Sequence, residues 1–300
     1  MRPRTIGKTG TPQMPDPIIA AAIQLEPRIG EPERNLRHSL EMIEQAADQG
    51  ATLIVLPELT NSGYVFESVE EARSLAEHWQ RGPSVIAWAR IASARALTIV
   101  AGLCEADDDR IYNSAVAIGP DGVLGRFHKV HLWDQENRFF TPGDLGFPVI
   151  DTPFGRIGIA ICYDGWFPES YRACALRGAD AVCVPTNWVP MPDQPADREV
   201  MANTLVIAAA HSNGLFIIAA DRVGIERGQR FLGNSIIAGP TGFPIAGPAS
   251  PVEEQILLAP IDLARAAAAR RLNSYSHLLE NRRPSQYQSD CHGDARQPPV

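Results

Sequence analysis

The stretch Gly50-Ala-Thr-Leu-Ile-Val-Leu-Pro57 returns in altered form as Gly178-Ala-Asp-Ala-Val-Cys-Val-Pro185. Each copy has a glycine suited to ending a helix, an aliphatic run of buried-strand length, and a proline that stops it. A second echo pairs Asn113-Ser114, leading to Gly119-Pro-Asp-Gly122, with Asn234-Ser235, leading to Gly239-Pro-Thr-Gly242. It reads as strand, Pro-x-Gly turn and strand, the pattern of an antiparallel hairpin. Self-similarity can mark a duplicated architecture: two similar halves, each a mixed sheet covered by helices, packed sheet on sheet. The competing reading is that helix, glycine, strand and proline simply recur in α/β chains.

Outward from these stretches, β-branched or aliphatic runs alternate with helical patterns from Pro17 onward, the form of a layered α/β domain. Strand-length runs lie at 18–25, 52–56, 98–103, 114–118, 156–161, 181–184, 215–220, 235–238 and 255–261. Leu36, Leu40, Ile43 and Ala47 recur at helical spacing after Asn35, the expected N-cap, and Gly50 closes that helix. Helices are also predicted over 83–96, 169–177 and 197–211. The expected organisation is a flexible leader at 1–16, one domain at 17–279, and a polar tail at 280–300 that is disordered or ordered against a partner subunit.

A chain of 300 residues buries enough surface to fold without disulfide or metal staples. Its net charge of −8 and the absence of any basic run beyond paired arginines exclude the clustered cations that bind phosphate backbones, so nucleic acid is not an expected partner. Five cysteines, an odd count with no C-x-x-C and no Cys/His zinc spacing, suggest neither a disulfide framework nor a structural zinc site. A reducing, cytoplasmic setting is expected. No apolar run approaches the ~20 residues that cross a bilayer, so no membrane is expected.

Three strand ends carry reactive groups. The run 53–57 ends at Glu58, Arg126-Phe-His-Lys-Val-His131 holds Lys129, and Gly158-Ile-Ala-Ile-Cys162 delivers a thiol. In α/β sheets ligands bind at the carboxyl ends of strands. A thiol at a strand-to-helix elbow lies close to backbone N–H groups that can hold an oxyanion; a free cysteine can equally be a small buried hydrophobe, the reading preferred for Cys174 and Cys183. A cysteine nucleophile needs a base. No histidine follows a strand as Glu58 does, and a buried glutamate can serve. Composition marks Lys129 separately: of 27 Lys plus Arg, only Lys8 and Lys129 are lysine. A chain that fills its surface with guanidinium and keeps one ammonium in its folded region points to a compact donor toward a single oxygen.

Taken together, Pro57-Glu58, His128-Lys129-Val-His-Leu132 and Gly158-Ile-Ala-Ile-Cys162-Tyr-Asp-Gly-Trp-Phe-Pro-Glu169 resemble, in order and spacing, the nitrilase superfamily of carbon–nitrogen hydrolases over about Ile18 to Leu263. The resemblance implies a four-layer α-β-β-α sandwich of two mixed sheets, pairing into homodimers or higher homo-oligomers, with no metal and no cofactor. By motif it makes Glu58 the general base, Lys129 the stabiliser of the tetrahedral intermediate and Cys162 the nucleophile. Glu136, ahead of Phe140-Thr-Pro-Gly143, would orient Lys129 and the substrate nitrogen, and the Tyr163 N–H would join the oxyanion hole.

Tyr163-Asp164 after the nucleophile, rather than Trp-Glu, resembles the amidase and carbamoylase branches. The Arg that commonly anchors the carboxylate of N-carbamoyl amino acids is replaced by Gly165-Trp166, which favours a neutral or apolar substrate. Tyr64, Trp133, Trp166, Asn187 and Trp188 are expected to line its pocket, or else to serve as core or subunit contacts. The expected reaction is hydrolysis of a small amide to acid and ammonia through a thioester. Hydrolysis of an N-carbamoyl compound or a nitrile is the alternative, and an inactive scaffold is the alternative from another class.

Overall fold

The computed structural model describes residues 17–193, 195 and 200–287. The expected leader, the first residues of the helix predicted at 197–211, and the tail beyond residue 287 lie outside them. In the first half, β1 (Ile18–Gln24) is followed by α1 (Pro32–Asp48), β2 (Ala51–Val55), α2 (Val69–Leu75) and α3 (Pro83–Arg95), then by β3 (Thr98–Asp107), β4 (Arg110–Gly119) and β5 (Gly122–His128). The second half runs β6 (Val149–Thr152), β7 (Gly155–Ile159), α4 (Pro168–Leu176), β8 (Ala181–Pro185), α5 (Met201–Asn213) and β9 (Phe216–Ala220). A small hairpin of β10 (Ile225–Glu226) and β11 (Gln229–Arg230) precedes β12 (Ile236–Ala238) and β13 (Pro244–Ala246). Finally β14 (Gln255–Ile261) returns to the first sheet, and α6 (Ala264–Ala269) follows it.

The two six-stranded sheets have the same plan. One is ordered β14-β1-β2-β3-β4-β5 and the other β6-β7-β8-β9-β12-β13. Each begins with an antiparallel pair, continues through a parallel triplet, and ends in two antiparallel strands. The sequence echoes fall on matching places: 50–57 and 178–185 carry the middle strands of the triplets, β2 and β8, while 113–122 and 234–242 carry the fifth strands, β4 and β12. Both echoes therefore sit at equivalent places in the plan the two sheets share.

Alternation along the strands separates the layers, because successive side chains point to opposite faces. Ala20 and Ala22 of β1, Leu53 and Val55 of β2, Val100 of β3 and Phe127 of β5 join Ile157, Ile159, Ala181 and Cys183 in one core between the sheets. Ala21, Ile23, Ile54, Leu56, Ile99 and Ala101 point the other way, onto Met42, Ile43, Ala46, Val85 and Trp88 of α1 and α3. On the far side, Tyr171, Cys174 and Ala175 of α4 and Val206, Ala209 and Ala210 of α5 cover the second sheet. The result is the expected four-layer α-β-β-α sandwich. No helix among the described residues is long and apolar enough to cross a membrane.

Several local readings shift. Asn35 is not the N-cap of α1: Glu31 holds that place with Pro32 in the first turn, and the Asn35 side chain instead pins the preceding loop through the Arg28 N–H and carbonyl. The strand β6 and the helices α2 and α6 are legible only in the structure, and the second hairpin strands β5 and β13, expected from the turns before them, receive their bounds only there. Gly122–His128 carries two glycines and an arginine, and Val149–Thr152 is four residues long, so neither shows a clear apolar period.

Candidate active site

Glu58, Lys129, Glu136 and Cys162 come together at one end of the two sheets, between the halves. Glu58 follows β2, Lys129 follows β5 directly, and Cys162 follows β7 after two further apolar residues. Close backbone approach makes the first two placements possible. A Cβ on Gly102 would lie 2.4 Å from the Pro57 carbonyl oxygen and 2.5 Å from the Glu58 Cα, and one on Gly143 would lie 2.1 Å from the His128 carbonyl oxygen. Both contacts are closer than any side chain allows, so these glycines admit the turns that carry Glu58 and Lys129. Cys162 itself stands at φ +45°, a left-handed conformation that costs a non-glycine residue on the order of 1–3 kcal/mol and is found most often at functional sites.

The Lys129 ammonium is fully buried and donates to Glu58 Oε1 at 2.6 Å and to Glu136 Oε1 at 2.7 Å. Asn113 Nδ2 donates to the same Glu58 oxygen at 2.7 Å, while the Asn113 carbonyl accepts the Lys129 N–H at 2.8 Å. Glu58 Oε2 is buried with no hydrogen-bond partner, a lone pair held away from water with nothing yet to accept. Glu136 lies in the 3-10 turn Asp134–Arg138 and accepts from the Trp133 N–H at 3.1 Å and the Tyr64 hydroxyl at 2.6 Å.

Burial and mutual charge set the protonation of these groups. Desolvation alone would lower the Lys129 pKa, but Glu136 and Glu58 outweigh it and hold the ammonium above its ordinary value. Burial pushes the Glu136 carboxyl up, and the neighbouring Glu58 charge adds to this against Lys129 and Tyr64, leaving it at about 7. Burial also raises the Cys162 thiol well above its usual value, with Glu58 adding to the effect and Lys129 opposing it. The resting group is a thiol, whose sulfur becomes a good nucleophile only once a neighbour takes its proton. By contrast Cys104, Cys174 and Cys183 are buried free cysteines in strands and a helix, with no comparable charge cluster.

Trp133, Tyr163, Trp166, Asn187 and Trp188 line a small cavity with Cys162, together with Val189 and Met191. Trp133 meets Tyr163 edge to face at 4.9 Å. Tyr64 sits apart, in the adjoining hollow with Glu136 and Trp133. Asn187 also braces Glu58 from behind, where its Nδ2 donates to the Glu58 carbonyl at 3.0 Å and ties the turn after β8 to the turn after β2.

Three positioning residues were not singled out in the sequence. Asn113 was visible only through the Asn-Ser echo. Asp164 was read as a marker of the branch, yet its buried carboxylate joins the two halves. Its Oδ1 accepts the His131 N–H at 2.9 Å and lies 2.7 Å from His131 Nδ1, while its Oδ2 accepts the Ile161 N–H at 3.1 Å. Glu226 accepts the N–H groups of Ile29, Tyr64 and Val65 and pairs with buried Arg222 at 3.1 Å; nothing in its exposed-looking turn, Gly224-Ile-Glu-Arg-Gly228, signals this.

Comparison with known proteins agrees with this arrangement. The model of the family described as carbon-nitrogen hydrolase matches residues 19–271. A nitrilase of Pyrococcus abyssi is 40% identical over 270 residues, 90% of this chain and 99% of that protein. An N-carbamoylputrescine amidase of Solanum lycopersicum is 33% identical over 251 residues, 79% of this chain and 83% of its own. Among solved structures, a carbon-nitrogen hydrolase from Helicobacter pylori superposes with a TM-score of 0.78 at 29% identity, covering 91% of this chain and 97% of that one. A double mutant of the amidase from Nesterenkonia sp. AN1 in complex with acrylamide gives 0.74 at 26% identity, covering 92% and 98%. Family model, relatives and fold coincide with the motifs that meet in the cleft, and the chain belongs to the carbon–nitrogen hydrolases of the nitrilase superfamily, enzymes that hydrolyse carbon–nitrogen bonds.

Proposed function

We propose that the cleft hydrolyses a small, uncharged amide to a carboxylic acid and ammonia through a thioester on Cys162. The observation that carries this reading is the fully buried Lys129 ammonium held between two carboxylates beside a thiol on a strained elbow. Glu58 Oε1 is occupied by Lys129 and Asn113, while Oε2 is buried and unpartnered. That free oxygen takes the thiol proton as Cys162 Sγ bonds to the amide carbon. The carbonyl π pair moves onto oxygen, where the Lys129 ammonium and the Tyr163 N–H stabilise the charge. Such donors act in a site where little solvent reorganisation is needed, and losing one typically costs about 10²–10³ in rate.

Collapse of the intermediate expels the amide nitrogen, which takes the proton from Glu58 and leaves as ammonia. Water then surrenders a proton to Glu58 and attacks the thioester; the acid departs and the thiol recovers its proton. Glu136 keeps Lys129 in place throughout and accepts from the substrate nitrogen. In a mutant of the Nesterenkonia amidase the acetamide moiety of fluoroacetamide adds covalently at the active-site cysteine, which supports the assignment of Cys162.

The aromatic lining of Trp133, Tyr163, Trp166 and Trp188 supports an uncharged acyl group. Hydroxylamine trapping tests the scheme. Wild-type protein incubated with propionamide and hydroxylamine is expected to yield the hydroxamate by diversion of the thioester, and mass spectrometry of quenched protein is expected to place the acyl group on Cys162. Amide turnover with the acyl group on another residue would refute the assignment.

A further inference from the structure

Behind Lys129, on the outer face of the first sheet, lies a second cluster that the reaction does not use. Glu105 and Asp107, two apart on β3, share a face with Arg126 and His128, two apart on β5. One donor atom from each of Glu105, Asp107 and His128 falls within 4.8 Å of the others. Glu105 and His128 are almost wholly buried, and Glu105 Oε2 and His128 Nε2 have no hydrogen-bond partner although they lie 3.2 Å apart. The other ring nitrogen, Nδ1, meets Asp144 Oδ1 at 3.2 Å.

We propose that Glu105, His128 and Asp107 form a binding site for a divalent transition-metal ion of the zinc class. Donation from Nδ1 to Asp144 leaves the Nε2 lone pair facing a carboxylate oxygen, two acceptors that either a proton on Nε2 or a metal ion between them reconciles. Carboxylate–histidine–metal arrangements of this kind fix the tautomer of a ligating imidazole. Two ligands at zinc bond lengths on a tetrahedral centre stand about 3.3 Å apart, which matches the spacing of the two unpartnered atoms. Arg126 pairs with Glu105 Oε1 and with Asp107 Oδ2 at 2.9 Å, so Glu105 Oε2 and Asp107 Oδ1 remain free. Asp107 is partly exposed, and rotation of its carboxylate brings that oxygen to the ion. The adjoining hollow is lined by Asp107, Asp108, Asp109 and Asp144 against Arg110 and Arg126, giving a mainly acidic entrance. An imidazole with carboxylates suits zinc and its neighbours among first-row metals. No Cys/His spacing betrays such a site in the sequence, because its ligands come from strands brought together only by the β3–β4–β5 meander.

Titration of chelator-treated protein with Co²⁺ alone tests this. One equivalent is expected to bind, with the visible d–d bands of a low-coordinate site and no thiolate-to-cobalt charge transfer. Calorimetry with Zn²⁺ is expected to show the same stoichiometry and a Kd weakened at least about tenfold by Glu105→Gln or Asp107→Asn, and about tenfold by Asp144→Asn. Asp107 and Asp144 are partly exposed, so their variants answer even if Glu105→Gln fails to fold. Absence of saturable binding, a thiolate charge-transfer band, or unchanged affinity in folded variants would overturn the proposal.

Discussion

The two halves of the molecule share a strand order and differ in what they place at the strand ends. After β2, Pro57 is followed by Glu58; after the matching β8, Pro185 is followed by Thr186 and Asn187. The first sheet supplies Glu58 and Lys129, and Glu136 lies in the connection leaving it, so the buried charges of the cluster come from the first half. The second supplies Cys162, a group that is neutral until a neighbour takes its proton. A pair of equal frameworks therefore meets across a cleft with unequal contents. Burying two carboxylates and an ammonium is costly unless they compensate one another, and their gathering on one half lets them do so before any substrate arrives.

The largest test of this division removes the second half's contribution. Cys162→Ala is expected to abolish amide turnover, by at least about 10⁴-fold, the scale seen when a nucleophile is deleted from a catalytic unit. It should leave the melting temperature close to wild type, because the charge cluster is untouched and a small buried group replaces another. Thermal unfolding by circular dichroism, alongside ammonia release, reads both; substantial residual turnover would show that the thiol is not the nucleophile.

Next in size is a change in the first half. Lys129→Arg preserves the charge but replaces a point donor with a planar fork in a fully buried site already spanned at 2.6 and 2.7 Å. A loss of about 10²–10³ in kcat is expected, the cost of a misplaced oxyanion donor, together with a lower melting temperature from overpacking. Activity within tenfold of wild type would mean that position-specific donation by the ammonium is not required.

The seam between the halves comes third. Asp164→Asn turns one of its two accepting oxygens into a donor, so the amide cannot satisfy both the Ile161 N–H and the His131 group. Leaving one buried N–H unpaired costs roughly 1–3 kcal/mol, and the activity loss is expected to be on the order of tenfold because the Lys129 loop and the Cys162 elbow lose their common tie. Stability unchanged in a urea titration would show that the tie is dispensable.

How much of this was legible in the sequence differs by the range of the forces involved. The parallel triplets could be read because their strands are buried on both faces and appear as unbroken aliphatic runs, as in Ala51–Val55 and Ala181–Pro185. The hairpin strand β5, carrying Gly122, Gly125 and Arg126, is announced only by the turn before it, since its extent is fixed by pairing with β4 rather than by its own composition. Glu58, Lys129 and Cys162 stood out because each closes a recognisable run. Asp164 and Glu226 act through backbone N–H groups up to 197 residues away, and a hydrogen bond to a backbone leaves no trace in the identity of the partner. The scarcity of lysine sharpened one residue, but only the ordered motifs joined it to the others.

The smallest effect probes the balance inside the first half's charge cluster. The Glu136 carboxyl stands at about 7, raised first by burial and then by Glu58, and lowered by Lys129 and by the Tyr64 hydroxyl that donates to it at 2.6 Å. Its carboxylate form is the one that holds Lys129, so protonation as the pH falls through about 7 loosens the ammonium, and kcat/KM is expected to fall on the acid side of that value. Because the two glutamates share one lysine, the limb reports the cluster rather than a single residue. Tyr64→Phe removes a contact that favours the charged form. The acid limb should therefore move to higher pH, by up to about one unit, and the variant should lose more activity at acidic than at alkaline pH. A purely packing role for Tyr64 would lower activity equally at every pH. A parallel drop across the profile would assign the ring to the pocket wall alone and leave the poise of Glu136 to burial, Lys129 and Glu58.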